Sequence, residues 1–316
     1  MPFSIPALAA SITKAASKQT YYTIRFLVDR ERVSDAYCAY AYFRWVDDTL
    51  DASGISRPER LAFINRQKSL LESFYQGKVE CEASPEEQML LLLVQSDTEA
   101  DSGLQAYLRN MMAVMVFDAD RRGRIISQAE LEGYTHNLAS AVTEAMHYFI
   151  GHCCFSPHDE TRYLAVTAAH ITHMLRDTFD DFQARYYNIP AEVLEIRTLT
   201  AQELDTYLNT NAASRRWIQS RVQLARAYFK AGNLYLNQLE SWRCKLAGFA
   251  YTARFEWLLD IIEQENYLLR PQYSERHGWR AGLQMLWRTL SPLINPQIFK
   301  AAPQIAVIQP HPWKKS

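Results

Sequence analysis

Glycine is scarce in this chain: 10 in 316 residues, about 3%, is under half the usual share of about 7%. Gly-rich hairpins and apolar–polar alternation are missing with it, which excludes a domain built on sheets. The five cysteines are odd in number, and their only close pair, Cys153 and Cys154, is adjacent. Neighbouring cysteines do not close an unstrained disulfide and do not make a CxxC metal site, so a reducing cytosol is the expected home. No apolar run approaches the 18 to 20 residues or so that a spanning helix needs, the densest patch being Leu90 to Val94. The N-terminus has no basic residue before its apolar stretch, so residues 1–17 read as an irregular lead-in rather than a signal peptide. Charge of one sign is lacking too. With 34 Lys and Arg against 35 Asp and Glu, the net charge of -1 gives no field for holding a nucleic acid.

Apolar residues make up 48% of the chain, enough for a real core. Helical spacing runs from Val33 to Leu50 and on through Asp47, Asp48 and Asp51 to the break at Gly54 and Pro58. Further helices are predicted over 56–75, 85–95, 102–116, 127–150, 160–187, 201–235 and 239–269. The charged stretch Asp118 to Arg124 reads as a solvated turn, and the end after Pro292 as irregular. No linker or repeat interrupts the pattern. The expectation is one all-α domain over residues 1–316, with about eight to ten helices around an interior.

Two acidic elements carry the chemistry. In Arg44-Trp-Val-Asp47-Asp48-Thr-Leu-Asp51 the helical repeat turns Arg44, Asp47 and Asp51 to one face. In Arg176-Asp177-Thr-Phe-Asp180-Asp181 the same four-residue spacing joins Asp177 and Asp181 behind another arginine. Facing carboxylate pairs repel unless cations lie between them, and hard oxygen donors at this density suit Mg²⁺ together with substrate phosphate oxygens. A diphosphate is the implied ligand, and its departure from carbon leaves a carbocation that needs dry, aromatic walls. Wall candidates are Tyr40, Tyr42, Phe43, Tyr134, Phe149 and Phe255.

These residues resemble the squalene/phytoene synthase family. Tyr40-Ala-Tyr-Phe-Arg44-Trp-Val-Asp47-Asp48-Thr-Leu-Asp51 is similar to its Y-A-x-C-R-x-x-D-D-x-x-D, and Leu175-Arg176-Asp177-Thr-Phe-Asp180-Asp181 to its L-R-D-x-x-E-D. Arg185-Tyr186-Tyr187 with Ile189-Pro190 is similar to its R-x-Y-x-P. The resemblance implies an isoprenoid synthase-type helical bundle around a central cavity. It also implies head-to-head joining of two prenyl diphosphates, farnesyl or geranylgeranyl, through a cyclopropylcarbinyl diphosphate.

By the same resemblance Asp47, Asp51, Asp177 and Asp181 are metal ligands, Arg44 and Arg176 contact diphosphate, and Tyr40 and Tyr187 lie near the reacting carbons. Thr20 and Tyr21 stand where the family carries a Ser-x-Ser-Phe-like phosphate element, and Arg185 and Arg270 stand for its phosphate-binding arginines. His170 and His173 occupy the Gln and Asn of its Q-x-x-N-x-x-R-D, which gives His173 a metal-ligand role and His170 a substrate contact. Tyr134 keeps the leading tyrosine of Y-x-x-x-V-A-G-x-V-G, while Ser140 and Thr143 replace both glycines at an expected helix break. Phe255 takes the place of a tyrosine. A reductive finish would require NADPH, for which no dinucleotide fingerprint is present. These departures motivate an alternative, a member that ionises one prenyl diphosphate for cyclisation or transfer; a second alternative is a non-catalytic assembly factor with the same fold, against which the four complete aspartates count. The expected location is the cytoplasm, with peripheral membrane contact through Trp313-Lys314-Lys315.

Overall fold

The computed structural model describes residues 4–78, 83–193, 201–273 and 279–294. These form α1 (Ile5–Ala16), α2 (Lys18–Leu27), a 3₁₀ turn (Arg30–Arg32), α3 (Val33–Asp51), α4 (Arg57–Tyr75), α5 (Pro85–Ser96), α6 (Gly103–Arg121) and α7 (Gln128–Phe149). They continue as α8 (Leu164–Arg176), α9 (Thr178–Gln183), α10 (Ala201–Thr210), α11 (Ala212–Gln238), α12 (Trp242–Gln264) and α13 (Trp279–Ile294). Among the described residues there is no strand, only an isolated bridge between Ile125 and Tyr187.

The helix starts follow local chemistry. Ser56, Ser84 and Ser127 each accept from the backbone amide three residues on, and the glutamates at Glu59, Glu87 and Glu130 reach back to the cap, closing three capping boxes. Proline at the first turns of α1, α4 and α5 costs nothing, since those amides have no partner inside the helix.

Several expectations are corrected. Residues 5–16 are not an irregular lead-in but α1, which packs its Ala9 and Thr13 against α3. Helix α6 runs on through the charged stretch to Arg121, because Arg121 is buried and paired with the half-buried Asp118 rather than solvated. The 160–187 helix breaks at Asp177, where the Thr178 hydroxyl donates to the Met174 carbonyl at 2.8 Å. The 201–235 helix divides at Asn211, whose side chain caps α11. Pro292 lies inside α13. The expected break at Ser140 and Thr143 is absent: α7 is continuous.

Two large apolar clusters result, one chiefly on α1 and α3 to α7, the other on α8 to α12, with a small third formed by Ile126, Leu131 and Met174. Helices α11 and α8 cross closely, since a Cβ on Gly232 would fall 2.4 Å from the Ala165 amide nitrogen. A largely apolar cavity of about 340 Å³ opens beside the first cluster, walled mainly by α2, α3, α7, α8 and α12.

Candidate active site

Helix α3 ends in three aspartates, Asp47, Asp48 and Asp51, with no basic residue in its last turn. The C-terminus of a helix is its negative end, so this placement costs stability and marks a site that calls for a cation. Arg44 answers in part: its Nε donates to Asp48 Oδ2 at 3.0 Å, and it lies 3.4 Å from Asp47 Oδ2. Burial, with Asp51, Asp118 and Asp48 nearby, still pushes the Asp47 carboxyl up to about 6 against the pull of Arg44.

The second acidic element is built differently. Asp177 lies at the joint of α8 and α9, where Arg176 donates to both its oxygens at 2.5 and 2.6 Å and His173 Nε2 is 2.7 Å from Oδ2. These partners hold its carboxyl well below the usual range although burial opposes them. Asp181 is pushed up to about 6 by burial and by Asp177, despite the amide of Asn188 donating to its Oδ2 at 2.6 Å.

The two elements meet through the loop that follows α9. The Tyr186 hydroxyl donates to Asp51 Oδ1 at 2.7 Å, bringing the segment after the second motif onto the end of the first. The hydroxyl that reaches the acidic residues is therefore that of Tyr186, whereas the expected Tyr187 packs its ring 5.1 Å from Phe182. Counted back from Pro190, Asn188 stands where R-x-Y-x-P places its tyrosine, so Arg185-Tyr186-Tyr187 sits one residue early.

Sequence reasoning missed Asp118, Arg121 and Asn188, which lie between the two motifs. Arg121 is 5% exposed; its Nε donates to Asp118 Oδ1 and a terminal nitrogen to Asn188 Oδ1, both at 2.6 Å. Tyr134, as a site residue, donates to Asp118 Oδ2 at 3.1 Å. The signal was present as an arginine three residues after an aspartate on a helix, but its charge disguised it as surface.

The apolar cavity lies further back along the same helices, and none of the acidic residues is in its wall. Tyr40 lines it one turn before Arg44, about 10 Å along α3 from Asp47, and Val166 lines it three turns before Asp177 on α8. Tyr251, also on the wall, leads through Phe255, 5.5 Å away, to His173 at 6.1 Å and Arg176 at 6.0 Å. Thr20 and Phe149 line the cavity as well. Tyr42 and Phe43 do not: Tyr42 is fully buried and bonded to Gln67, and Phe43 packs on Tyr107. Tyr21 stacks on Tyr37 at 5.3 Å beside this wall.

Three expected residues have other surroundings. Arg270 is bonded to Glu265 and lies over Tyr273. Arg185 is exposed and sits over Gly123. His170 is buried against Tyr134 at 5.3 Å with its Nε2 unpartnered among the described residues; burial pushes it down to about 3, so the ring is neutral. Trp313-Lys314-Lys315 lies outside the described residues, and among those described no helix is long and apolar enough to cross a membrane.

The donor set fits a hard divalent cation: carboxylate oxygens in like-charged pairs, two of them with raised affinity for protons. Among the described residues no three His, Cys, Asp or Glu side chains gather closely enough to hold an ion alone. Such a cation would therefore complete its shell with phosphate oxygens and water, as Mg²⁺ commonly does.

Similar architectures exist among solved structures. A dehydrosqualene synthase in complex with a ligand matches at 20% identity over 92% of this chain and 96% of its own, with a TM-score of 0.62. The squalene synthase HpnC from Alicyclobacillus acidocaldarius matches at 17% identity over 84% and 95%, with a TM-score of 0.64. TcSQS in complex with BPH1237 matches at 14% over 96% and 93%, with a TM-score of 0.66. No curated protein sequence matches. The squalene/phytoene synthase family model covers residues 13–286, which takes in both acidic elements, Tyr186, Asn188 and the cavity walls; the chain belongs to the squalene/phytoene synthase family.

Proposed function

We propose that this chain is a Mg²⁺-dependent prenyltransferase that joins two prenyl diphosphates head to head, through a cyclopropylcarbinyl diphosphate, to a squalene- or phytoene-type hydrocarbon. The observation that carries the reading is the joining of Asp51 to Tyr186 and of Asp181 to Asn188, with one apolar cavity further back along α3 and α8. Asp47, Asp51, Asp177 and Asp181 would hold Mg²⁺, which when bound would neutralise the diphosphate and make it a good leaving group. Arg44 and Arg176, each already seated against an aspartate, take up charge as the C–O bond breaks. His173 orients Asp177 through their 2.7 Å contact. Tyr40, Tyr251 and Phe149 give the prenyl chain an apolar, water-poor wall, and Tyr40 lies closest along α3 to the diphosphate end.

At about 340 Å³ the cavity is at the small end of ligand pockets, about 300–1,000 Å³. The same small volume and the Thr143 side chain in the wall favour, as second reading, ionisation of a single prenyl diphosphate. The reduced or unreduced state of the product is read by adding NADPH to the assay. The test of the site is pyrophosphate release from farnesyl diphosphate. Release that needs Mg²⁺ and disappears in Asp47→Ala and Asp177→Ala is expected; release unchanged in both variants would reject the assignment, and none from the native chain would favour a non-catalytic assembly role.

A further inference from the structure

We propose that Arg121 and Asn188 are positioning residues that set the separation of the two acidic motifs, an inference that rests on the function proposed above. A buried guanidinium is costly unless its donors are met, and here the partners are specific. Arg121 gives one bond to Asp118 and one to the Asn188 carbonyl oxygen, and its plane lies over the rings of Tyr134 at 4.6 Å and Tyr186 at 5.0 Å.

Two arms leave this centre. Through Asn188 it reaches Asp181, since the amide accepts from Arg121 on Oδ1 and donates from Nδ2 to Asp181 at 2.6 Å. Arg121 is only a donor and ionised Asp181 only an acceptor, so no other orientation of the amide serves both. Through the ring of Tyr186 it reaches Asp51, which accepts from that hydroxyl at 2.7 Å.

Backbone pairing fixes the centre to the loop after α9. The Gly123 amide donates to the Arg185 carbonyl at 2.7 Å, Ile125 bridges Tyr187, and the Ala191 amide donates to the Ile126 carbonyl at 2.9 Å. The turn after α6 and the loop after α9 are thus clipped together just after Arg121 and on either side of Asn188. Groups that hold a ligand's carboxylate in place commonly change metal affinity by about 10–100-fold when removed.

The experiment titrates the full-length protein with Mn²⁺ in the presence of inorganic pyrophosphate and reads free Mn²⁺ by electron paramagnetic resonance, with circular dichroism as the control for folding. Arg121→Ala strips a buried ion pair, so the decisive variants are Asn188→Ala and the isosteric Asn188→Asp. Both are expected to weaken Mn²⁺ binding about 10–100-fold at native helix content, the aspartate at least as much as the alanine because it opposes Asp181 with like charge. Folded variants that bind Mn²⁺ within twofold of the native chain would overturn this inference alone. A native chain that binds no Mn²⁺ would overturn it together with the proposed function.

Discussion

Tyr186 and Asp51 are 135 residues apart in sequence and 2.7 Å apart in space, the phenol donating to the carboxylate at the end of α3. That bond ties the end of the first acidic motif to the loop after the second, and burial beside Asp51 pushes the phenol well above its ordinary value, so it stays a donor at any working pH.

Tyr186→Phe removes the donor without changing the ring. A hydrogen bond to a charged group contributes about 1.5–3 kcal/mol. The Mg²⁺ concentration for half-maximal pyrophosphate release is expected to rise about tenfold, with helix content kept. Tyr187→Phe, in which the ring packs on Phe182, leaves that concentration where it was.

The all-α class and both acidic motifs were legible because they depend on local spacing alone: three residues between Arg44 and Asp47, four between Asp47 and Asp51, and an overall shortage of glycine. The central arginine was not legible. Asp118 to Arg124 has the composition of a solvated turn, and only its pairing with Asn188, 67 residues on, makes Arg121 an interior residue. The ends failed for a related reason. Residues 5–16 carry no charge before Lys14 and were read as a lead-in, whereas packing on α3 gives them a reason to be helical. Arg270 shows the opposite error, since proximity in sequence to the family's arginine says nothing of the nearby Glu265.

Gly232 has no side chain because α8 passes through the space a Cβ would fill, 2.4 Å from the Ala165 nitrogen. The neighbour is backbone and cannot rotate away. Gly232→Ala is expected to destabilise the protein by about 1–3 kcal/mol through overpacking. A urea titration with an unchanged midpoint would contradict the close crossing.

Thr143 breaks a pattern. Thr13, Thr135, Thr167, Thr172 and Thr178 all donate to the carbonyl four residues back, but the Thr143 hydroxyl is buried in the cavity wall with no partner among the described residues. Thr143→Val keeps the shape and removes an unmet polar group, so stability is expected to hold or rise by about 1 kcal/mol. Thr135→Val, which removes a made bond, lowers it. Equal losses in the two variants would contradict the difference.

Stability also has an acid limb from His147. Burial, helped by Arg162, pushes this ring down to about 4, while in the unfolded chain it titrates near 6.5. The native state therefore resists protonation that the unfolded state accepts. Its contribution is complete above about pH 6.5 and is lost as pH falls toward 4, by about 3 kcal/mol in all. Thermal melts across that window are expected to fall, and His147→Gln flattens this part of the profile. A His147→Gln profile as steep as the native one would show that other groups govern it.

The most direct measurement is the carbon number of the product formed from farnesyl diphosphate and Mg²⁺, read by mass spectrometry. Coupling at a site formed by both acidic motifs predicts a C30 product that disappears in Asp47→Ala. Products of C15 alone would contradict it.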